Sequence, residues 1–310
     1  MNNQEIENAI HVLKSNFALK AAEKVLIITD DDLYGIAANF YEGVKQLGNE
    51  VVLALMPDRY QSGQEPPVAI ASAMRASDVI LCITNASLTH TRATKQAAQS
   101  GARIGTMPGI TQSMMTEGAI TADTAEIKRL CQSFTARLNQ AEDVRIEKAG
   151  YCLEFSVKGR QGISSTGIFL NPGEYGNIPS GESYIAPLET SANGQLLVDG
   201  SIAEVGVVDQ AVLLTIENGR LVDASGRMGK KLLELLGDGK GRTIAEFGIG
   251  TNKAARLTGN VLEDEKVYST IHIAFGSNKP FGGVTEAGIH IDCVVKEPAV
   301  WLDEEKFLFD

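Results

Sequence analysis

The chain has 310 residues, of which 44% are hydrophobic and 22% charged, with 39 acidic against 28 basic side chains and a formal net charge of −11. That is enough chain and apolar content for two domains, or one large one, with a substantial core. The acidic balance argues against a nucleic-acid or anionic-membrane partner, since both need clustered Lys and Arg.

In chain order, "MNNQEIENAIHVLKSNFALKAAEK" reads as a soluble amphipathic helix, because no basic segment precedes an apolar run. "KVLIITD" (24–30) is a β-branched strand, and "YGIAANFYEGVKQLG" (34–48) a helix with a glycine stop. "EVVLALM" (50–56) predicts a second strand, "VAIASAMRAS" a helix and "DVILCIT" (78–84) a third strand. "HTRATKQAAQSG" follows as a helix, and "ARIGTMPGIT" opens with a fourth strand. Strands alternating with helices imply right-handed crossovers and a parallel sheet, a Rossmann-like α/β domain. No G-x-G-x-x-G follows the first strand, so a dinucleotide site is not supported. Helical character persists through "TADTAEIKRLCQSFTARLNQAED".

Composition shifts near residue 143. From "VRIEKAGYCLEFSVKGRQG" onward, Gly, Pro and short alternating strands dominate, with one clear helix at "GRMGKKLLELLGDG" (226–239). The expected division is a Rossmann-like domain over 1–135 and a β-rich, mixed α+β metal-binding domain over 136–310, with the boundary between about 125 and 145. Cys82, Cys131, Cys152 and Cys293 are far apart and lack C-x-x-C spacing. They read as buried, reduced thiols in a cytoplasmic protein. No apolar stretch approaches the roughly 18 residues of a membrane span.

The chemistry gathers in the C-terminal half. Only four histidines occur, and "GIHIDCV" places His290 two residues before Asp292. In a strand that spacing puts imidazole and carboxylate on one face. His272 sits in another apolar strand, "STIHIAFG". Glu246 lies in "TIAEFGIGTN" and Glu182 in the Gly/Pro-rich turn "GNIPSGESYIAP". A hydrogen-bonded core histidine and a solvated glutamate are the plainer alternatives for each residue alone. Glu246 resists that reading, because glutamate is rarely buried without a partner, and a metal ion offsets the desolvation. Imidazole with carboxylate suits Zn²⁺, Co²⁺, Mn²⁺ or Fe²⁺. Five such ligands can hold two metals with a bridging carboxylate. His272, His290 and Asp292 alone can form the two-His-one-carboxylate face of mononuclear iron, and spacing does not choose between these.

The stretches "NIPSGESYIAP", "VDGSIAEVG", "LLTIENGRLVDASG", "AEFGIGTNKAARLTGNVLEDEKVYSTIHIAFG" and "GIHIDCVVKEPAVWLD" resemble the thermophilic aminopeptidases T and S over roughly residues 145 to 305. The resemblance implies metal ligation by Glu182, Glu246, His272, His290 and Asp292, with Glu182 or Glu246 moving a proton, and a homodimer. One departure is that those enzymes carry a tyrosine shortly after the first histidine, whereas "HIAFGSNKPFGG" offers Lys279 and Phe281 instead. The N-terminal part, with "NASLTHTRATKQAAQSGARIGTMPGIT", is more similar to the iron-dependent 2,5-dihydroxypyridine 5,6-dioxygenases. That second resemblance implies a His-His-Asp iron site at His272, His290 and Asp292, and a substrate-side role for His90, which otherwise reads as a helix cap. The first expectation is therefore a metal-dependent aminopeptidase-like hydrolase acting on short peptides, since both glutamates are retained. The alternative is a ferrous ring-cleaving dioxygenase acting on a small molecule, favoured by the missing tyrosine. A non-enzymatic binding protein with His and Glu as core pairs stands last.

Overall fold

The computed structural model describes residues 3–59 and 61–309. The chain divides into two compact units, Met1–Thr124 with Thr166–Ser180, and Ala125–Ser165 with Gly181–Asp310. This differs from a single cut at 135/136 in two ways. Helix Thr124–Leu138 buries Leu130, Phe134 and Leu138 in the second unit's core, with Phe134 edge-on to Phe307 at 4.8 Å. Residues 166–180 return to the first unit, where Tyr175–Asn177 adds a fifth strand.

In the first unit the fifth strand joins a parallel sheet whose spatial order is Val51–Leu55, Val25–Thr29, Val79–Ile83, Arg103–Thr106, Tyr175–Asn177. Val25–Thr29 and Val79–Ile83 are buried at every residue, as central strands of a helix-covered parallel sheet should be. The edge strand Val51–Leu55 is only half buried. The N-terminal helix spans Asn3–Ser15, shorter than its amphipathic pattern suggested. It stops where the Asn16 side-chain amide donates to the Gly167 carbonyl (2.8 Å) and Phe17 turns fully inward. Helix Arg92–Gln99 is capped by Thr91, whose hydroxyl accepts from the Thr94 N–H, so His90 is not the cap.

The second unit holds two seven-stranded sheets whose pairings are all antiparallel. Their apolar faces share one core, marked by Phe155 edge-on to Phe247 at 5.5 Å. Strand alternation then decides the rest. In the sheet containing Ile244–Gly250, Thr270–Gly276 and His290–Lys296, the residues Phe247, Ile249, Ile271, Ile273, Phe275 and Cys293 enter that core. Their alternate neighbours occupy the other face, Glu246, His272, His290 and Asp292 among them, and Glu182 joins that face from the adjacent strand Glu182–Ile185, whose Ile185 enters the core.

Cys82, Cys131 and Cys293 are buried free thiols, while Cys152 is half-buried. Among the described residues, no helix is long and apolar enough to cross a membrane.

Candidate metal centre

Strand register builds the site. Across the sheet, Glu182 pairs with Gly250, His272 with Gly248, and His290 with Gly276, while Ala274 lies between Glu246 and Asp292. Each acidic or imidazole side chain thus has a glycine or an alanine as a cross-strand neighbour on at least one side. Larger residues there would fill the face, and with small ones the functional side chains can lean together over a shallow floor. The closest case is Gly248, where a Cβ would overlap the His272 ring.

Glu182 depends on the turn before it. Gly181 has φ +126, and a Cβ there would stand 2.8 Å from the Asn252 Cβ. Its N–H donates to the Ser165 carbonyl (3.1 Å) and its carbonyl accepts from the Thr251 N–H (2.9 Å), which seats Glu182 as the first residue of its strand. That is the physical content of the Ser-Gly-Glu motif.

The structure brings together all five residues named from the sequence. Nε2 of His272 lies 3.2 Å from Oε1 of Glu246 and 3.5 Å from Oε2 of Glu182. Nε2 of His290 lies 3.5 Å from Oε2 of Glu246 and 3.4 Å from Oδ1 of Asp292. Glu246 therefore faces both imidazoles. The ligand atoms form three overlapping groups, Glu182–Glu246–His272, Glu246–His290–Asp292 and Glu265–His272–Asp292. His90 belongs to none of them; it is an exposed residue of the first unit.

Two members of the cluster were not singled out in the sequence. Glu265 and Lys266 lie in the turn after the short helix Val261–Asp264, and "LEDEKVY" reads there as an ordinary solvated charge run. Lys266 is instead fully buried, 3.1 Å from Oε1 of Glu182 and paired with Glu265.

The electrostatics follow from burial and crowding. Burial pushes the carboxyls of Glu182, Glu246 and Glu265 above the usual range. Burial acts the same way on Asp292, but His290 and His272 outweigh it and hold that carboxyl down to about 2. Burial opposes charge on both imidazoles, yet the hydrogen bond to Glu246 and the nearby carboxylates push His272 up to about 9. Asp292 and Glu246 push His290 up to about 10 against the same burial. Lys266 is likewise held above its ordinary value by Glu182 and Glu265 despite its burial.

The donor set fits a divalent transition metal. Oε2 of Glu182, Nδ1 of His272 and Oδ1 of Asp292 are buried polar atoms with no hydrogen-bond partner among the described residues. Buried polar atoms without partners are rare, and a cation beside them would satisfy them. His290 also has the support expected of a ligand. Its Nδ1–H donates to the Ser277 carbonyl at 2.8 Å, leaving the lone pair on Nε2, the nitrogen that faces the carboxylates.

The 277–289 segment that supplies this carbonyl is itself anchored. Glu189 accepts from the Asn278 amide (2.9 Å) and the Val284 N–H (2.7 Å), and pairs with Arg160 at 2.6 Å. From the same segment Phe281 lies edge-on to His290 at 5.8 Å and to Tyr184 at 5.5 Å.

A family profile described as 2,5-dihydroxypyridine 5,6-dioxygenase matches residues 10–310. A search of curated proteins finds no match. Among solved structures, the 2,5-dihydroxypyridine dioxygenase of Pseudomonas putida KT2440 superposes with a TM-score of 0.84 at 19% identity, covering 99% of this chain and 95% of that one. AmpT from Thermus thermophilus superposes with a TM-score of 0.71 at 16% identity, covering 98% and 97%. At those identities the superpositions establish a shared fold, and both resemblances read from the sequence reappear in them. The profile reaches further, because it spans both units and every residue of the cluster: the chain belongs to the 2,5-dihydroxypyridine 5,6-dioxygenase family.

Proposed function

We propose that the protein is a mononuclear, non-haem Fe²⁺ dioxygenase that opens a dihydroxypyridine-type ring. The observation that carries this reading is the family match over residues 10–310. The aminopeptidase expected first from the sequence gives way to it, since that match and the higher TM-score both lie with dioxygenases. His272, His290 and Asp292 would hold the iron as two imidazoles and one carboxylate, a donor set suited to ferrous oxygenases. Bound there, Fe²⁺ supplies the one-electron chemistry that lets dioxygen react with a closed-shell ring.

The chain's own residues do the positioning. The Ser277 carbonyl fixes the tautomer and orientation of His290. Phe281 beside His290, with Tyr184 edge-on behind it, offers an aromatic surface against which a planar ring can pack. Phe281 lies in the segment where the aminopeptidases carry a tyrosine, so no phenolic donor is available at that residue. Burial holds the carboxyl of Glu246 above the usual carboxylate range, and its place between the two imidazoles suits it to exchange a proton with a ring hydroxyl. A further acid–base role for His90 rests on the resemblance of "SLTHT" alone.

A second reading, a two-metal aminopeptidase-like hydrolase, has one specific observation in its favour. Glu182 and Glu246 are both buried within 3.5 Å of His272 Nε2, and a three-ligand iron site does not require them. The test is anaerobic. Metal-free protein reloaded with Fe²⁺ should leave 2,5-dihydroxypyridine intact under nitrogen and consume it when air is admitted, seen as loss of ring absorbance. Consumption at the same rate without oxygen would overturn the dioxygenase reading.

A further inference from the structure

Lys266 has no exposed side-chain surface, and the functional reading above gives it no role. Its ammonium is bound by Glu182 and Glu265, both of which belong to the groups around His272. The turn that carries it is fixed by its backbone: its N–H donates to the Glu263 carbonyl (3.0 Å), and its own carbonyl accepts from the Asn252 N–H (2.8 Å). Gly250, the cross-strand partner of Glu182, lets this turn close in, because a Cβ there would overlap the Val267 carbonyl. A lysine held this way cannot snorkel to water as most lysines do.

Four carboxylates meet here, those of Glu182, Glu246, Glu265 and Asp292. One dication and one ammonium leave a single negative charge among the four carboxylates. Two dications and the ammonium exceed the carboxylates. A second dication bound through Glu182 and Glu265 would also share both carboxylates with the ammonium, placing like charges side by side away from water. The geometry points to Lys266 as a resident cation that takes the place of a second metal ion and limits the centre to one. This rests on the mononuclear reading, and it explains why Glu182 can be retained without a second metal. Lys266 is a positioning residue: it acts on the metal count through Glu182 and Glu265.

The test is Co²⁺ bound per chain, measured by elemental analysis after equilibrium dialysis. The proteins compared are the wild type, Lys266→Met, and Lys266→Met combined with Glu265→Gln, with circular dichroism to follow the fold. One ion is expected in the wild type, two in Lys266→Met, and one again in the double variant, where the added negative charge is gone. One ion in all three leaves the mononuclear centre standing but overturns the role of Lys266. Two ions in the wild type overturn the mononuclear reading as well. Two in the double variant show that space rather than charge admits the extra ion, and so overturn the inference. If Lys266→Met is unfolded without metal, excess Co²⁺ must restore its fold with two ions per chain; failure to do so counts against the inference.

Discussion

Gly248 and His272 are cross-strand neighbours, and the imidazole occupies the space that a Cβ on residue 248 would need. The glycine is therefore part of what positions the imidazole rather than a flexible point in a strand. Gly248→Ala is expected to displace the ring and weaken metal binding. Overpacking of this kind destabilises by about 1–3 kcal/mol. Metal per chain and the melting temperature, measured together, check this. An alanine variant with full metal occupancy and an unchanged melt would mean that the ring lies elsewhere.

His290 and Asp292 stand on a strand whose alternate residues Ile291 and Cys293 are fully buried in the core. Replacing either ligand by Ala should remove bound metal while leaving the secondary structure intact, as followed by circular dichroism. The wild type should melt higher with metal than without, because a ligand that binds only the native state stabilises it by mass action. The variants should lose that increment. Retention of full metal occupancy in both would show that they are not ligands.

Glu246 and Glu182 divide the two enzymatic readings. Converting either to Gln keeps the shape and removes a charge. On the mononuclear account, His272, His290 and Asp292 remain complete, and one iron per chain is expected in the wild type and in both variants. A fall from two metals towards one or none would favour the hydrolase.

The imidazoles give a pH signature. In the metal-free protein His272 and His290 are pushed from 6.5 up to about 9 and about 10 by the carboxylates around them. Groups raised on folding add stability that is complete below the unfolded value near 6.5 and is lost as pH rises through the folded values. The metal-free melting temperature should therefore fall between about pH 7 and 10. A bound metal replaces those protons, so the loaded protein should show a shallower slope over the same window. Equal slopes would mean that neither histidine carries the effect. Asp292 behaves oppositely: its contribution is present above its ordinary 3.8 and is lost as pH falls through about 2.

Much of this was legible in the sequence. Alternating β-branched runs and helices gave the parallel sheet, because strands buried on both faces are written as continuous apolar runs such as Val79–Ile83. The five clustered residues were legible because charged or imidazole groups in apolar strands need partners. Tyr175–Asn177 was not, since a three-residue strand arriving from a distant part of the chain has no periodicity to detect. Glu265 and Lys266 were missed for a related reason. Their burial comes from a turn folding over Gly250, and nothing in "EDEKVYST" distinguishes that from a solvated turn. The choice of chemistry was not legible in the clustered side chains, which suit either reading, and it rests on the family match; Phe281, present in the sequence only as a missing tyrosine, packs against His290 in the folded chain.

The central claim is that both atoms of dioxygen enter the product of a single ring. Fe²⁺-loaded protein should be given 2,5-dihydroxypyridine under ¹⁸O₂ in ordinary water, and the product read by mass spectrometry. The account predicts heavy oxygen at both inserted positions, and none inserted when the label is in water instead, once exchange of the product carboxylates is corrected for. An intact ring under ¹⁸O₂, together with release of the N-terminal residue from unblocked peptides by the Co²⁺- or Zn²⁺-loaded protein, would contradict it.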